Sequence, residues 1–229
     1  MARMDVRLAY GERGLLVHLP DDRTDIAVAP HTPAPRDQRG LVRSALEDPV
    51  AGPPLGEVVS TGGRVAISVC DVTRPQPRAL VVPLILDELE RSIDLDDVVV
   101  LVATGTHRPN SAEELEAMLG RAVTRRVRVV NHDAWDDSQL VWCGTFGNGV
   151  PVWLNRLWVE ADVRITTGFV EPHFFAGFSG GPKMVAPGLA GLRTVLTLHD
   201  AARISHAQAT WGATHGNPIH DDIRAIAAA

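Results

Sequence analysis

The apolar positions of the chain change period along its length. Up to about residue 29 short apolar stretches, Val6 to Tyr10, Gly14 to Leu19 and Ile26 to Ala29, alternate with turn residues, and Gly11-Glu12-Arg13 separates the first two. This pattern predicts a small β-rich lead-in. A helix is expected from Asp37 to Leu46, followed by a Pro/Gly-rich connector at Pro49 to Gly56. Beyond it, Arg64 to Cys70, Val98 to Thr104, Val127 to Asn131 and Val163 to Thr167 are compact runs rich in β-branched residues, as expected of strands buried on both faces of a parallel sheet. Helical segments, Arg78 to Ser92 and Ser111 to Leu119, lie between them, the second opened by a capping box of Ser111 and Glu114. The alternation predicts the α/β class: an open, mostly parallel, Rossmann-like sheet with flanking helices.

Two short strands around Leu140 to Trp142 and Val150 to Trp153, joined through Gly144, Gly147 and Gly149, read as a hairpin inserted in that framework. Thr167 to Gly191 is rich in glycine and proline and has almost no regular periodicity, yet it carries Phe169, Phe174, Phe175 and Phe178. Disordered segments are poor in aromatics, so this is expected to be a binding loop. A helix is expected again from Leu192 to Ala209, and Asn217-Pro218 opens another that runs to Ala229 without a stop signal, as in a truncated chain. The expected organisation is a β-rich segment and connector over 1–60 and an α/β cofactor-binding domain over 61–229.

Composition narrows the class. With 229 residues, 45% hydrophobic and 22% charged, the chain is that of an ordinary globular protein, and no apolar run nears the ~20 residues of a membrane-spanning helix. The first residues, Met1-Ala2-Arg3-Met4-Asp5, lack the apolar stretch of a secretory signal, and two cysteines, Cys70 and Cys143, make neither a disulfide framework nor a four-cysteine zinc site. A cytoplasmic location is the default expectation. A net charge of -6 argues against nucleic acid or an anionic membrane as the main partner. The basic residues are 21 arginines and one lysine, Lys183. Drift toward arginine accounts for the arginines; the surviving lysine marks a position where a primary amine is needed, because only an amine can be deprotonated and act as a nucleophile.

Ligands of open α/β sheets bind beyond the carboxyl ends of the strands. There the first expected strand runs into Asp71-Val72-Thr73-Arg74-Pro75, the second into Thr104-Gly105-Thr106-His107-Arg108-Pro109, and the fourth into Gly168-Phe169-Val170-Glu171-Pro172-His173. Asp71, Arg74, His107 and His173 are therefore expected at one edge. Gly177-Phe178-Ser179-Gly180-Gly181-Pro182-Lys183 offers backbone N–H groups and a hydroxyl beside a cation, which suits a phosphate. It is not a Walker loop, since the spacing differs and no Ser or Thr follows Lys183. His199 is expected on the helix after this loop with His206 at i+7 on roughly the same face, and no paired motif suggests zinc. Trp135, Trp142, Trp153 and Trp158 are expected to build core.

The segment Gly168 to Gly188, with Pro172-His173, Ala176-Gly177, Ser179-Gly180-Gly181, Lys183 and Pro187-Gly188, resembles the signature of the lactate racemase family, and Asp71-x-x-Arg74-Pro75, Gly105-x-His107-Arg108 and His199 fit the same pattern in the same order. The resemblance covers roughly Asp71 to His220. It implies a nickel-pincer nucleotide, attached to Lys183 through a thioamide, with His199 as the protein's nickel ligand. Nickel(II) favours tetragonal sites with sulfur and imidazole donors, so three cofactor donors and one histidine complete a plane. Ser179, Gly180 and Gly181, with Arg74, are reasonable partners for the nucleotide phosphate.

The implied activity is racemisation or epimerisation of a small 2-hydroxy acid such as lactate by proton-coupled hydride transfer. His107 and His173 are the candidate acid–base pair. Arg74 is favoured as the ligand of the substrate carboxylate, and Asp71 is expected to contact cofactor or orient a neighbour. The resemblance also implies cofactor-synthesis proteins as partners, and a substrate-closing carboxyl-terminal domain that this chain is expected to lack, so that the chain by itself is expected to be of doubtful activity. Two other classes remain open: a non-catalytic nucleotide- or anion-binding module, and a metal-free acid–base enzyme acting on a phosphorylated substrate.

Overall fold

The structure is a computed structural model and describes residues 3–28, 30, 32–59 and 63–229. It divides into two compact units, residues 1–36 and 37–229. In the first, β1 (Arg3–Leu8) and β2 (Leu15–Pro20) form an antiparallel hairpin in which Asp5 faces His18, and their side chains meet at 2.6 Å. The third expected strand does not form: Ile26 to Val28 have no regular structure, and Ile26 and Val28 are exposed. Ala29 lies outside the described residues.

The second unit begins with α1 (Gln38–Glu47), capped by the Asp37 carboxylate, which accepts from the Gly40 N–H, and α2 (Leu55–Val58). The boundary between units thus falls upstream of residue 60, because Leu46 and Leu55, carried by these helices, pack on the core that the α/β layer buries. Residues 60–62, where the expected boundary falls, lie outside the described residues. Then follow β3 (Val65–Cys70), α3 (Arg78–Leu89), β4 (Val98–Ala103), α4 (Ala112–Leu119), α5 (Arg121–Arg126) and β5 (Arg128–Asn131). The hairpin β6 (Leu140–Phe146) and β7 (Val150–Asn155), the short α6 (Arg156–Val159) and β8 (Val163–Thr166) come next. The remainder is a two-residue ladder of β9 (Pro172–His173) with β10 (Gly177–Phe178), then α7 (Leu192–Leu198), α8 (Ala201–Ile204) and α9 (Pro218–Ala227).

Four strands pair in parallel in the order β5-β4-β3-β8. The chain starts at β3, steps outward to β4 and β5, then crosses back to the far side of β3, so the order reverses between β3 and β8 and opens a crevice there. All six residues of β3 are buried, as the unbroken β-branched pattern predicts. Val65, Ile67 and Val69 pack with Val82, Ile85, Leu86 and Leu89 of α3, whereas Ala66 joins the opposite core with Leu101, Val152, Leu154 and Leu189. Small residues, Ala66, Ser68 and Cys70, occupy that second face of β3, and they let the glycine-rich loop come close: Ser68 Oγ donates to Met184 O at 3.3 Å.

The capping box at Ser111 and Glu114 is present as predicted, while α5 was not expected; Gly120, with φ 84°, ends α4 and starts it. The helix expected over Leu192 to Ala209 is two short helices instead, broken at His199, because Asp200 caps α8 through the Arg203 N–H. Arg203 in turn pairs with Asp200 and with the fully buried Asp222 of α9. His206 therefore lies outside any helix and does not share a helical face with His199. Trp158 is buried as expected, but Trp135 and Trp142 are 66% and 51% exposed and do not build core. No helix among the described residues is long and apolar enough to cross a membrane.

Candidate active site

A cleft of about 610 Å³ lies at the carboxyl edge of the sheet, and Asp71, Arg74, His107, His173, Ser179, Gly180, Lys183 and His199 all line it. Of the residues expected at the site only Gly181 does not; it faces the opposite side of its loop. Asp71 follows β3, is 4% exposed, and accepts on Oδ1 from the Thr73 N–H at 3.1 Å and the Thr73 hydroxyl at 2.5 Å. Its Oδ2 lies 2.6 Å from Nδ1 of His107, on the loop after β4. That contact fixes the proton of a neutral His107 on Nδ1 and leaves Nε2 with its lone pair, the arrangement of a general base held by a carboxylate. The His107 side chain is 53% exposed, so the free nitrogen is accessible.

His173 is held differently. Its Nδ1 accepts from the backbone N–H groups of Phe175 and Ala176, at 3.4 and 3.2 Å, and its ring stacks on Phe174 and meets the edge of Phe175. Burial, then the charges of Lys183, Arg74 and His199, pull its pKa down to about 4. A neutral ring with Nδ1 occupied carries its proton on Nε2. His199 ends α7 and donates Nδ1–H to the Val195 carbonyl at 2.7 Å, which frees Nε2. A backbone carbonyl on one ring nitrogen is the usual support for a histidine that ligates metal through the other.

Lys183 sits in a 3-10 turn over Gly181–Met184. Burial, and next the nearby Arg74 guanidinium, lower its pKa to about 8, so its amine is far closer to the free base at neutral pH than an ordinary lysine. The loop around it is set by close approach: a Cβ on Gly188 would lie 2.6 Å from Met184 O and 2.9 Å from the Ala103 side chain. Gly105, at φ 56°, donates its N–H to Gly188 O at 2.9 Å and ties this loop to the one after β4. The Ser179 hydroxyl is used within the loop, donating to Phe169 O and accepting from the Glu171 N–H. Arg74 Nε pairs with Glu171 at 3.2 Å and Nη1 donates to the Thr73 hydroxyl at 3.0 Å.

Several side chains that hold the site were not anticipated. Gln76 accepts from the Cys70 N–H and donates to Thr167 Oγ1, spanning the crevice between β3 and β8. Arg78, 6% exposed, donates from Nη1 to the carbonyls of Cys70, Asp71 and Arg74, fixing the loop that bears Asp71. Asn110 and Asn131 join the loops after β3, β4 and β5. The buried His132 bonds Asn155 and Ala190 O, the usual state of a core histidine. Inspecting the end of β5 as the other strand ends were inspected would have exposed Asn131 and His132.

Residues 10–212 match the family model of the lactate racemase N-terminal domain. The chain belongs to the lactate racemase N-terminal domain family. It is 33% identical over 222 residues to the lactate racemase of Thermoanaerobacterium thermosaccharolyticum, covering 96% of this chain and 52% of that protein. It is 37% identical over 187 residues to the lactate racemase of Lactiplantibacillus plantarum, covering 81% and 44%. The structure of the Thermoanaerobacterium lactate racemase apoprotein superposes with a TM-score of 0.86 over 98% of this chain and 53% of that one, and a Thermotoga maritima protein from structural genomics with 0.63 over 81% and 45%, at 29% identity. The chain thus spans about half the length of the relatives it matches.

Among the described residues no group of three or more His, Cys, Asp or Glu side chains could hold a metal ion alone. A metal at His199 would therefore draw its remaining donors from a bound group. The lone amine of Lys183 and the free Nε2 of His199, facing one cleft, fit a cofactor that is both covalently attached and a metal carrier.

Proposed function

We propose that this domain supplies the cofactor and acid–base site of a 2-hydroxyacid racemase or epimerase acting on lactate or a similar acid. The observation that carries the reading is that one cleft holds a carboxylate-held histidine, a second neutral histidine and the only lysine, its amine partly deprotonated at neutral pH. Lys183 would hold a nickel-pincer nucleotide through its Nζ and His199 would ligate the nickel through Nε2. When bound, this group would supply an acceptor for the substrate's α-hydrogen as hydride. The Gly180 backbone is the partner proposed for the nucleotide phosphate, whereas Gly181, which does not line the cleft, is not. Ser179 contributes by holding that turn, since its hydroxyl is engaged with Phe169 and Glu171.

Arg74 binds the substrate carboxylate, with its Nε and Nη1 already oriented by Glu171 and Thr73. Nε2 of His107 takes the hydroxyl proton of one antipode, and the buried Asp71 carboxylate stabilises the imidazolium that forms. His173 serves the opposite face. In the arrangement described it presents Nε2–H as a donor. To take a substrate proton at Nε2, the neutral ring must first shift its own proton from Nε2 to Nδ1, which displaces the Phe175 and Ala176 amides from Nδ1. A further domain closing over substrate, cofactor-synthesis proteins as partners and a cytoplasmic setting belong to the same proposal.

The test is racemisation of L- and D-lactate by the full-length protein loaded with cofactor. Conversion that persists in Lys183→Arg would remove the attachment role.

A further inference from the structure

The base proposed above depends on two residues from two loops, and neither loop is fixed by apolar packing at the point of contact. Val72, next to Asp71, is 42% exposed, and the His107 side chain is more than half exposed. Among the hydrogen bonds of the described residues, the loop after β3 and the loop after β4 meet at two places. One is the Asp71–His107 contact itself. The other is Asn110, 5% exposed, whose Oδ1 accepts from the Val72 N–H at 3.0 Å.

Asn110 is in turn locked to the sheet. Its backbone N–H and its Nδ2 both donate to Asn131 Oδ1, at 3.0 and 3.1 Å, and Asn131 Nδ2 donates back to Asn110 O at 3.0 Å. Asn131 is the last residue of β5, in register with Val102 of β4. The side chain of Asn110 therefore transmits the position of the β4–β5 edge to the backbone one residue from Asp71. A buried amide with this many partners has one orientation, and leaving the Val72 N–H without an acceptor is unfavourable.

We propose that Asn110 is a positioning residue for the Asp71–His107 pair, holding the two loops at the separation at which the carboxylate grips the imidazole. This rests on reading that pair as the general base. A side chain that only stabilised the fold would affect the pair no more than any other loss of stability in the same segment. Ser111, the next residue, provides that comparison, because it caps α4 and touches neither loop partner.

The readout is NMR of the His107 ring nitrogens in the chain as it stands. Their shifts, read through the carbon-bound ring protons, do not depend on how fast the Nδ1 proton of this half-exposed ring exchanges with water; they separate a ring held with its proton on Nδ1 from one that is not, and the signal is assigned by its loss in His107→Gln. The signal is expected in the wild-type protein and in Ser111→Ala, and it is expected to vanish in Asn110→Ala, which leaves the Val72 N–H without its acceptor. Should Asn110→Ala not fold, Asn110→Ser, too short to reach Val72, takes its place. An unchanged signal in the Ala or Ser variant overturns the proposal while the pair stands, and so does equal loss in Ser111→Ala. No such signal in the wild-type protein would overturn the pair itself, and with it the proposed base.

Discussion

Lys183 offers a chemical reading of its surroundings because it is the only lysine, so its Nζ and the chain's α-amino group are the only aliphatic amines to label. Its pKa of about 8, against the ordinary 10.5, means that at pH 7 about a tenth of the amine is free base, compared with about three parts in ten thousand for an exposed lysine. The free-base advantage is roughly 300-fold. Acylation by a small reagent such as acetic anhydride, followed across pH by peptide mass spectrometry to separate Lys183 from the terminus, should show a half-maximal rate near pH 8. Arg74→Gln removes the second-largest cause of the depression and should move that midpoint upward. It should not reach 10.5, because burial, the largest cause, remains. A midpoint near 10.5 in the wild-type protein, or a downward move on loss of Arg74, would refute the electrostatic account of this amine.

The buried His173 gives a stability test. Its folded-state value of about 4 lies below the ordinary 6.5, so the unfolded chain binds more protons between those pH values and stability falls as pH drops through that window, by up to about 3 kcal/mol. Denaturant midpoints at pH 7 and 4.5 should converge in His173→Asn, and an unaltered acid slope would contradict it. In cofactor-loaded full-length enzyme, Asp71→Asn should lower turnover by roughly 10²- to 10⁴-fold with the fold intact, since His107 loses the partner that sets its tautomer; a change below tenfold counts against the base assignment. In single-turnover oxidation, His107→Ala and His173→Ala should each impair opposite antipodes of the substrate, and equal impairment of both by each variant would withdraw the two-face assignment. Ser111→Ala should cost about 1 kcal/mol in denaturant unfolding through loss of its helix cap, and no measurable loss would contradict the cap.

Period and strand ends made much of the fold legible. The β-branched runs at Val65, Val98, Arg128 and Val163 became the parallel sheet, but only the central β3 and β4 are largely buried on both faces; at the edges β5 and β8 keep exposed residues, Arg128, Arg164 and Thr166, because among the described residues no strand pairs beyond them. The rule that ligands gather at the carboxyl edge points Asp71, Arg74, His107 and His173 to one edge, and all four line one cleft. The errors have physical sources. Leu192 to Ala209 reads as one helix by composition, but Asp200 caps a new helix and Asp222, far along the chain, holds Arg203 beside it. The tryptophans read as core by size, yet Trp142 lies on the exposed side of the β6–β7 hairpin, against Trp153. The positioning side chains Gln76, Arg78 and Asn110 act by single hydrogen bonds to distant backbone, which carry no periodicity and no composition signal.

In the proposed function Lys183 would carry the cofactor and His199 its nickel. The direct measurement is intact and peptide mass spectrometry with nickel analysis on protein purified from a host that makes the cofactor, for the wild-type sequence, Lys183→Arg and His199→Ala. A nucleotide-sized mass increment on the Lys183 peptide with nickel bound is expected, both lost in Lys183→Arg. In His199→Ala the increment should stay and nickel should fall. An unmodified Lys183 peptide from such a host, or nickel retained equally in all three proteins, would contradict it.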